Sequence, residues 1–196
     1  MGTYHQQIYA IDVAVGMIRE ALKKSGAEKN TVIIYTSDNG FFCGSHGYGS
    51  KVLPYEESSR VPLIIYDPRH PNSGKKLRTS ALTGNIDFAP TILSLAGISN
   101  PENMDGKNLM TVYDKPTSSL HHSLSLINVW GKEPTHALGV VTEEMKYLYW
   151  GYAAKGFKPA NELYDLKADP LELTNQFTSS DYTKARKKMQ KLYDQH

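Results

Sequence analysis

Near the start of the chain apolar residues return every three or four positions: Ile8, Ile11, Val15, Ile18 and Leu22. That spacing is one stripe of an amphipathic α-helix. Lys23, Lys24 and Gly26 supply its C-terminal stop. The pattern then changes. Thr31–Tyr35 is short, β-branched and apolar, and Val61–Tyr66 is a second apolar run. Runs of this kind predict strands buried on both faces, as in parallel sheets. Between them lie a glycine-rich loop, Gly40–Ser50, and helical turns around Tyr55–Ser59. A turn-rich piece, Asp67–Gly74, leads to an expected strand over Leu77–Leu82. Asp87–Gly97 predicts a helix with Asp87 as N-cap, Pro90 in the first turn and Gly97 closing the end. Helix, strand, loop, strand, helix is the alternation of an α/β layer fold. Beyond about residue 110 short antiparallel strands are expected instead, over Leu124–Trp130, His136–Thr142 and Lys146–Trp150, with Glu143-Glu144 as a polar turn. Glu162–Leu166 reads as another strand, and Thr183–Tyr193 as a polar, basic helix.

Composition narrows the class. At 196 residues and 40% hydrophobic content the chain fits one domain, or one with a small appendage, around a real core. A formal charge of +2 gives no case for nucleic acid. The most basic stretch, Lys184 to Lys188, reads as a solvated helix face. Cys43 is the only cysteine, so an intrachain disulfide is excluded and the redox compartment is open. No apolar run nears the roughly 18 residues of a membrane span, and no signal peptide precedes the first helix.

The chemistry concentrates after the first apolar run, which ends in Asp38-Asn39-Gly40. A side chain at the C-terminal end of a buried strand faces the crevice where open α/β sheets bind ligands. A carboxylate and a carboxamide suit a hard cation, but two such groups fall short of the roughly six or more oxygens it takes. An ordinary Asp-Asn-Gly turn is the plain alternative. Lys51 could pair with a phosphate or sulfate oxygen as a point charge, or be a solvated loop lysine. His46 could donate a proton or contact an anion, or simply bond backbone. Arg60 is expected to pair with Glu56 or Glu57 beneath the loop. His121 and His122, being adjacent, point in different directions and make a poor metal pair. Cys43 lacks a neighbouring base and reads as inert. No Gly-x-Ser-x-Gly elbow, P-loop, dinucleotide fingerprint or His-Glu-x-x-His occurs. That argues against a serine triad and against nucleotide-driven chemistry.

Taken in order, Thr36-Ser37-Asp38-Asn39-Gly40, Gly47, Lys51, Pro54-Tyr55-Glu56-Glu57 and Arg60–Ile65 resemble the second half of the sulfatase family, within the alkaline phosphatase superfamily. Asp87–Ile98, the Asp105–Leu109 loop, Glu162–Leu166 and Asp169-Pro170 with Glu172 and Thr174-Asn175 continue the likeness, as does the opening helix. The resemblance implies an α/β fold: a partial alkaline-phosphatase-like layered sheet with helices, plus a small C-terminal antiparallel sheet and helix. Residues 1–112 would then close the α/β catalytic domain, and 113–196 would form a C-terminal α+β subdomain. It also implies Ca2+ or another divalent cation with Asp38 and Asn39 among its ligands. Lys51 would contact the sulfate, and His46 would sit in a Gly-x-His-Gly element of less defined role. The substrate would be a sulfate ester of a carbohydrate or an aryl group.

The family nucleophile is a formylglycine made from a Cys/Ser-x-Pro-x-Arg motif, and this chain has no such motif; Cys43 is followed by Gly-Ser-His. The paired N-terminal aspartates and upstream histidine of the family are also missing. The expectation is therefore a C-terminal piece of a sulfatase, inactive alone, with exposed sheet surface that self-association or a partner would cover. A phosphate or phosphonate ester hydrolase of the same superfamily, or a non-catalytic module, are the alternatives. A periplasmic or secreted location follows only by family analogy.

Overall fold

A computed structural model describes residues 2–101, 103–129, 135–153 and 156–196. Two compact units divide the chain: Met1–Ser37 with Pro62–Leu77, and Asp38–Val61 with Arg78–His196.

In the first unit, helix α1 spans Gly2–Lys24. It stops as expected: Gly26 adopts a φ of 74°, and Ala27 N–H and Gly26 N–H bond Leu22 O and Lys23 O, the two crossed bonds of a Schellman motif. The apolar stripe is present but uncovered, for no described residue of α1 is buried. Strands β1 (Ile33–Thr36) and β2 (Leu63–Tyr66) pair with each other. Two expectations need correcting here. The pair is antiparallel, with Ile33 opposite Tyr66, and its side chains are partly exposed, Ile64 to 60%. Apolar composition alone does not distinguish a strand buried on both faces from a ribbon whose outer face is uncovered. No strand forms over Leu77–Leu82 either; Thr79 Oγ1 accepts from Ala81 N–H, a local turn that competes with ladder pairing.

The second unit holds the rest. Helix α2 covers Glu56–Ser59, α3 Phe88–Leu95 and α4 Met110–Asp114. Gly97 ends α3 with a φ of 71°. Asp87 caps differently from the expectation. Its carboxylate reaches back to accept from Gly84 N–H at 2.8 Å, while its own N–H bonds Gly84 O at 3.0 Å, so it caps the short turn that precedes α3.

Four antiparallel strands follow as a meander: β3 (Leu124–Asn128), β4 (Ala137–Val141), β5 (Met145–Trp150) and β6 (Ala160–Asp165). All four expected strands are present; Trp130, the expected end of the first, lies outside the described residues. The Glu143-Glu144 turn closes with Thr142 N–H bonded to Met145 O. Helix α5 (Thr183–Tyr193) lays Met189 on Val140, Tyr147 and Leu163, the core of this subdomain. Its Lys184, Lys187 and Lys188 are exposed. Period-two alternation then puts Lys146 and Leu148 of β5 on the sheet face opposite Tyr147, and all three are buried. Among the described residues no helix is long and apolar enough to cross a membrane.

Candidate active site

The two segments carrying the chemistry lie in the second unit, and α2 holds both. Gly40 N–H bonds Ser58 O at 2.8 Å. The approach is so close that a Cβ on Gly40 would lie 2.0 Å from Glu57 O, so only glycine fits. From the other side, Val52 N–H bonds Ser58 Oγ at 3.0 Å. Val52 has a φ of 106°, a strained conformation for a β-branched residue, worth on the order of 1–3 kcal/mol.

Between these anchors the glycine-rich loop is pinned at its base by Phe42 N–H bonded to Ser50 O at 2.8 Å. Phe42 is buried beneath it, edge-on to His46 and Tyr55. Lys51 leaves the loop and donates from Nζ to Asn39 Oδ1 at 2.9 Å. Asn39 in turn donates from Nδ2 to Gly40 O at 2.8 Å, which settles its amide orientation. Asp38 is exposed; its Oδ1 accepts from Asn39 N–H at 2.9 Å. Asn39 and Lys51 open onto a cavity of about 410 Å³, walled by Val52, Leu53, Pro54, Ser58 and Ser59, and by Leu126, Ile127 and Asn128 of β3.

His46 turns elsewhere. Its ring stacks on Tyr55 at 4.5 Å, and Nε2 stands 3.5 Å from Glu57 Oε2. Its φ of 53° is left-handed, a region histidine tolerates better than most residues. The Tyr55 hydroxyl bonds Glu162 at 3.1 Å, and burial together with that carboxylate pushes the Tyr55 and Tyr164 phenols well above their ordinary range.

Beneath α2 lies an ion cluster that the sequence reading missed. Lys146, fully buried, places Nζ 2.8 Å from Glu56 Oε1 and 2.9 Å from Glu172 Oε1. The Glu172 contact is an ion pair without hydrogen-bond alignment. Glu172 also accepts from Glu56 N–H through its other oxygen. Burial pushes the Glu172 carboxyl up, and Lys146 opposes that. Arg60, the expected partner, is 3.6 Å from Glu56 but 79% exposed, so the buried counter-charge is Lys146. One signal was readable: a lysine inside the apolar run Met145–Trp150 must either face solvent or meet a buried acid.

The two adjacent histidines separate. His122 is exposed, while His121 is buried with Nε2 2.8 Å from Asp87 Oδ1. Lys107 N–H bonds that same oxygen, and Leu109 N–H reaches Thr91, whose hydroxyl bonds Asp87 O. This is a structural network joining α3 to the Asp105–Leu109 loop.

Among the described residues no three His, Cys, Asp or Glu side chains gather as a metal site. Asp38 and Asn39 nevertheless have the right chemistry for part of one. Both offer hard oxygens, and Asn39 Oδ1 already holds the positive charge of Lys51.

A family model described as N-sulphoglucosamine sulphohydrolase, C-terminal, matches residues 44–196. The chain belongs to the sulfatase family. Among sulfatase relatives, an N-acetylglucosamine-6-O-sulfatase of Bacteroides thetaiotaomicron is 33% identical over 201 residues, covering 100% of this chain and 35% of the relative. An arylsulfatase of Clostridium perfringens is 32% identical, covering 91% and 36%. A solved structure of a protein in complex with its substrate D-glucosamine-2-N,6-O-disulfate superposes with a TM-score of 0.85 at 32% identity, over 96% of this chain and 38% of that one. A phosphonate monoester hydrolase of Agrobacterium radiobacter gives a TM-score of 0.78 at 27% identity, over 96% and 40%. The chain thus spans about a third of the length of the sulfatase relatives it matches, and its architecture is that of the alkaline-phosphatase-like sulfatases.

Proposed function

We propose that this chain supplies the anion-binding lysine and part of the metal site of a sulfuric ester hydrolase. One observation carries the reading: Lys51 Nζ and Asn39 Oδ1 meet at 2.9 Å on the rim of a cavity of about 410 Å³. Lys51 binds the sulfate group, and its ammonium offsets negative charge on the non-bridging sulfate oxygens in the transition state. Asp38 and Asn39 contribute two oxygen ligands to a divalent cation, Ca2+ by family analogy; when bound, the cation supplies Lewis-acid polarisation of the sulfate oxygens. Asn39 Oδ1, which accepts from Lys51 at 2.9 Å, would be shared between that ammonium and the cation, so Lys51 would be free to pair with the sulfate when the site is filled. His46 completes the loop that presents Lys51.

The remaining ligands and the nucleophile come from outside these 196 residues, which hold no Cys/Ser-x-Pro-x-Arg motif. Residues 1–112 close the catalytic domain and 113–196 form its C-terminal subdomain. The uncovered stripe of α1 and the two-stranded β1–β2 ribbon support this, since a lone two-stranded ribbon is marginal in water. The isolated chain is therefore inactive, and the complete protein acts on a sulfate ester of a sugar or an aryl alcohol.

The likeness to the Agrobacterium enzyme favours one second reading, a phosphonate or phosphate ester hydrolase. Hydrolysis of 4-nitrophenyl sulfate and 4-nitrophenyl phosphate by the complete protein separates the two. Preference for the sulfate is expected; preference for the phosphate ester overturns the assignment. Turnover by the isolated chain with calcium, above the protein-free rate, contradicts the need for outside groups.

A further inference from the structure

We propose that Ser58 is a positioning residue that sets the distance between Lys51 and Asn39. The inference rests on the sulfatase reading of those two side chains and deepens it. Ser58 is 6% exposed and bonds both segments of the site at once. Its carbonyl oxygen accepts from Gly40 N–H at 2.8 Å, next to Asn39. Its hydroxyl accepts from Val52 N–H at 3.0 Å, next to Lys51. No other described residue is seen bonding both neighbours. Val52 is strained at a φ of 106°, so the turn after Lys51 is held in place rather than intrinsically preferred. The hydroxyl of Ser58 is the bond that holds it. Ser58 itself is fixed because α2 sits on Lys146, which contacts Glu56 at 2.8 Å and Ser59 Oγ at 3.4 Å. A buried lysine on β5 thereby steadies a surface lysine in the cavity.

Ser58→Ala deletes the bond to Val52 and spares the main-chain bond to Gly40, which gives an internal control. In the complete protein, hydrogen exchange at the Val52 amide should accelerate at least about tenfold while the Gly40 amide is unchanged. With 4-nitrophenyl sulfate as probe, kcat/KM should fall about tenfold with the melting temperature little changed. Ser58→Thr, which keeps the hydroxyl, should restore it. The deciding readout is a cycle with Lys51→Ala. If Ser58 acts through Lys51, Ser58→Ala costs less than about twofold once the lysine is gone. Equal losses in both backgrounds, or an unchanged Val52 exchange rate, overturn the proposal. Absence of any turnover of the probe counts against the sulfatase reading, and the exchange measurement then decides the positioning role alone.

Discussion

Lys146→Met isolates the buried ion cluster with little change in packing, because methionine replaces much of the fully buried aliphatic stem. What is lost is charge. Glu56 and Glu172 each lose a cation at 2.8 and 2.9 Å. Arg60 remains near Glu56 at 3.6 Å but is mostly exposed and offsets little. Glu172 is fully buried, and among the described residues Lys146 is the counter-charge in contact with it. Removing one partner of such a cluster costs about 3–5 kcal/mol. The cost depends on pH in a defined direction. Burial raises the folded-state pKa of Glu172 above the ordinary 4.5, and Lys146 is the main influence holding it down. An acid with a raised folded pKa contributes its stability below the unfolded value and loses it as pH rises through the folded value. Without Lys146 that folded value climbs further. The penalty of Lys146→Met should therefore be small near pH 4.5 and grow towards pH 8. Urea unfolding followed by tyrosine fluorescence reads it as a fall in midpoint at constant slope. Adding Glu172→Gln should recover more than half of the loss. A penalty below about 1 kcal/mol at pH 8, or one larger at acid pH, refutes the reasoning.

Other consequences follow from single contacts. Gly40→Ala drives a Cβ to within 2.0 Å of Glu57 O, so about 3 kcal/mol or more of stability should be lost in denaturant titration, together with amide protection at Gly40. Asp87→Ala strands the donors Gly84 N–H, Lys107 N–H and His121 Nε2, and the same titration should show a loss of about 3 kcal/mol. In the complete protein, Lys51→Ala should lower kcat/KM for an aryl sulfate by about a hundredfold or more. Asp38→Ala should weaken calcium binding, measured calorimetrically, by about tenfold or more, since a charged ligand is lost.

Much of the fold was legible because its signals are local. Lys23, Lys24 and Gly26 ended α1 where Ala27 and Gly26 make their crossed bonds. Alternation from Leu124 to Leu166 marked the meander strand by strand, since each strand pairs with the next in sequence. Direction and burial of β1 and β2 were not legible, because they depend on what each strand meets and not on its own composition. Leu77–Leu82 misled for a related reason: Thr79 offered the backbone a closer partner than any strand. At the site, Asp38, Asn39 and Lys51 stood out by residue type and order. Ser58 and Lys146 did not. Their roles come from contacts with Val52 and with Glu56 and Glu172, 6, 90 and 26 residues away along the chain. Glu172, part of the family likeness near Asp169-Pro170, acquires a physical reason only when Lys146 is seen beside it.

A crystal structure of the complete protein grown with calcium and sulfate tests the central claim most directly. The account predicts a cation bonded to the Asp38 carboxylate and Asn39 Oδ1 at about 2.3–2.6 Å, with Lys51 Nζ about 2.7–3.2 Å from a sulfate oxygen. Both ligands bound elsewhere, with Lys51 still donating to Asn39, would contradict it.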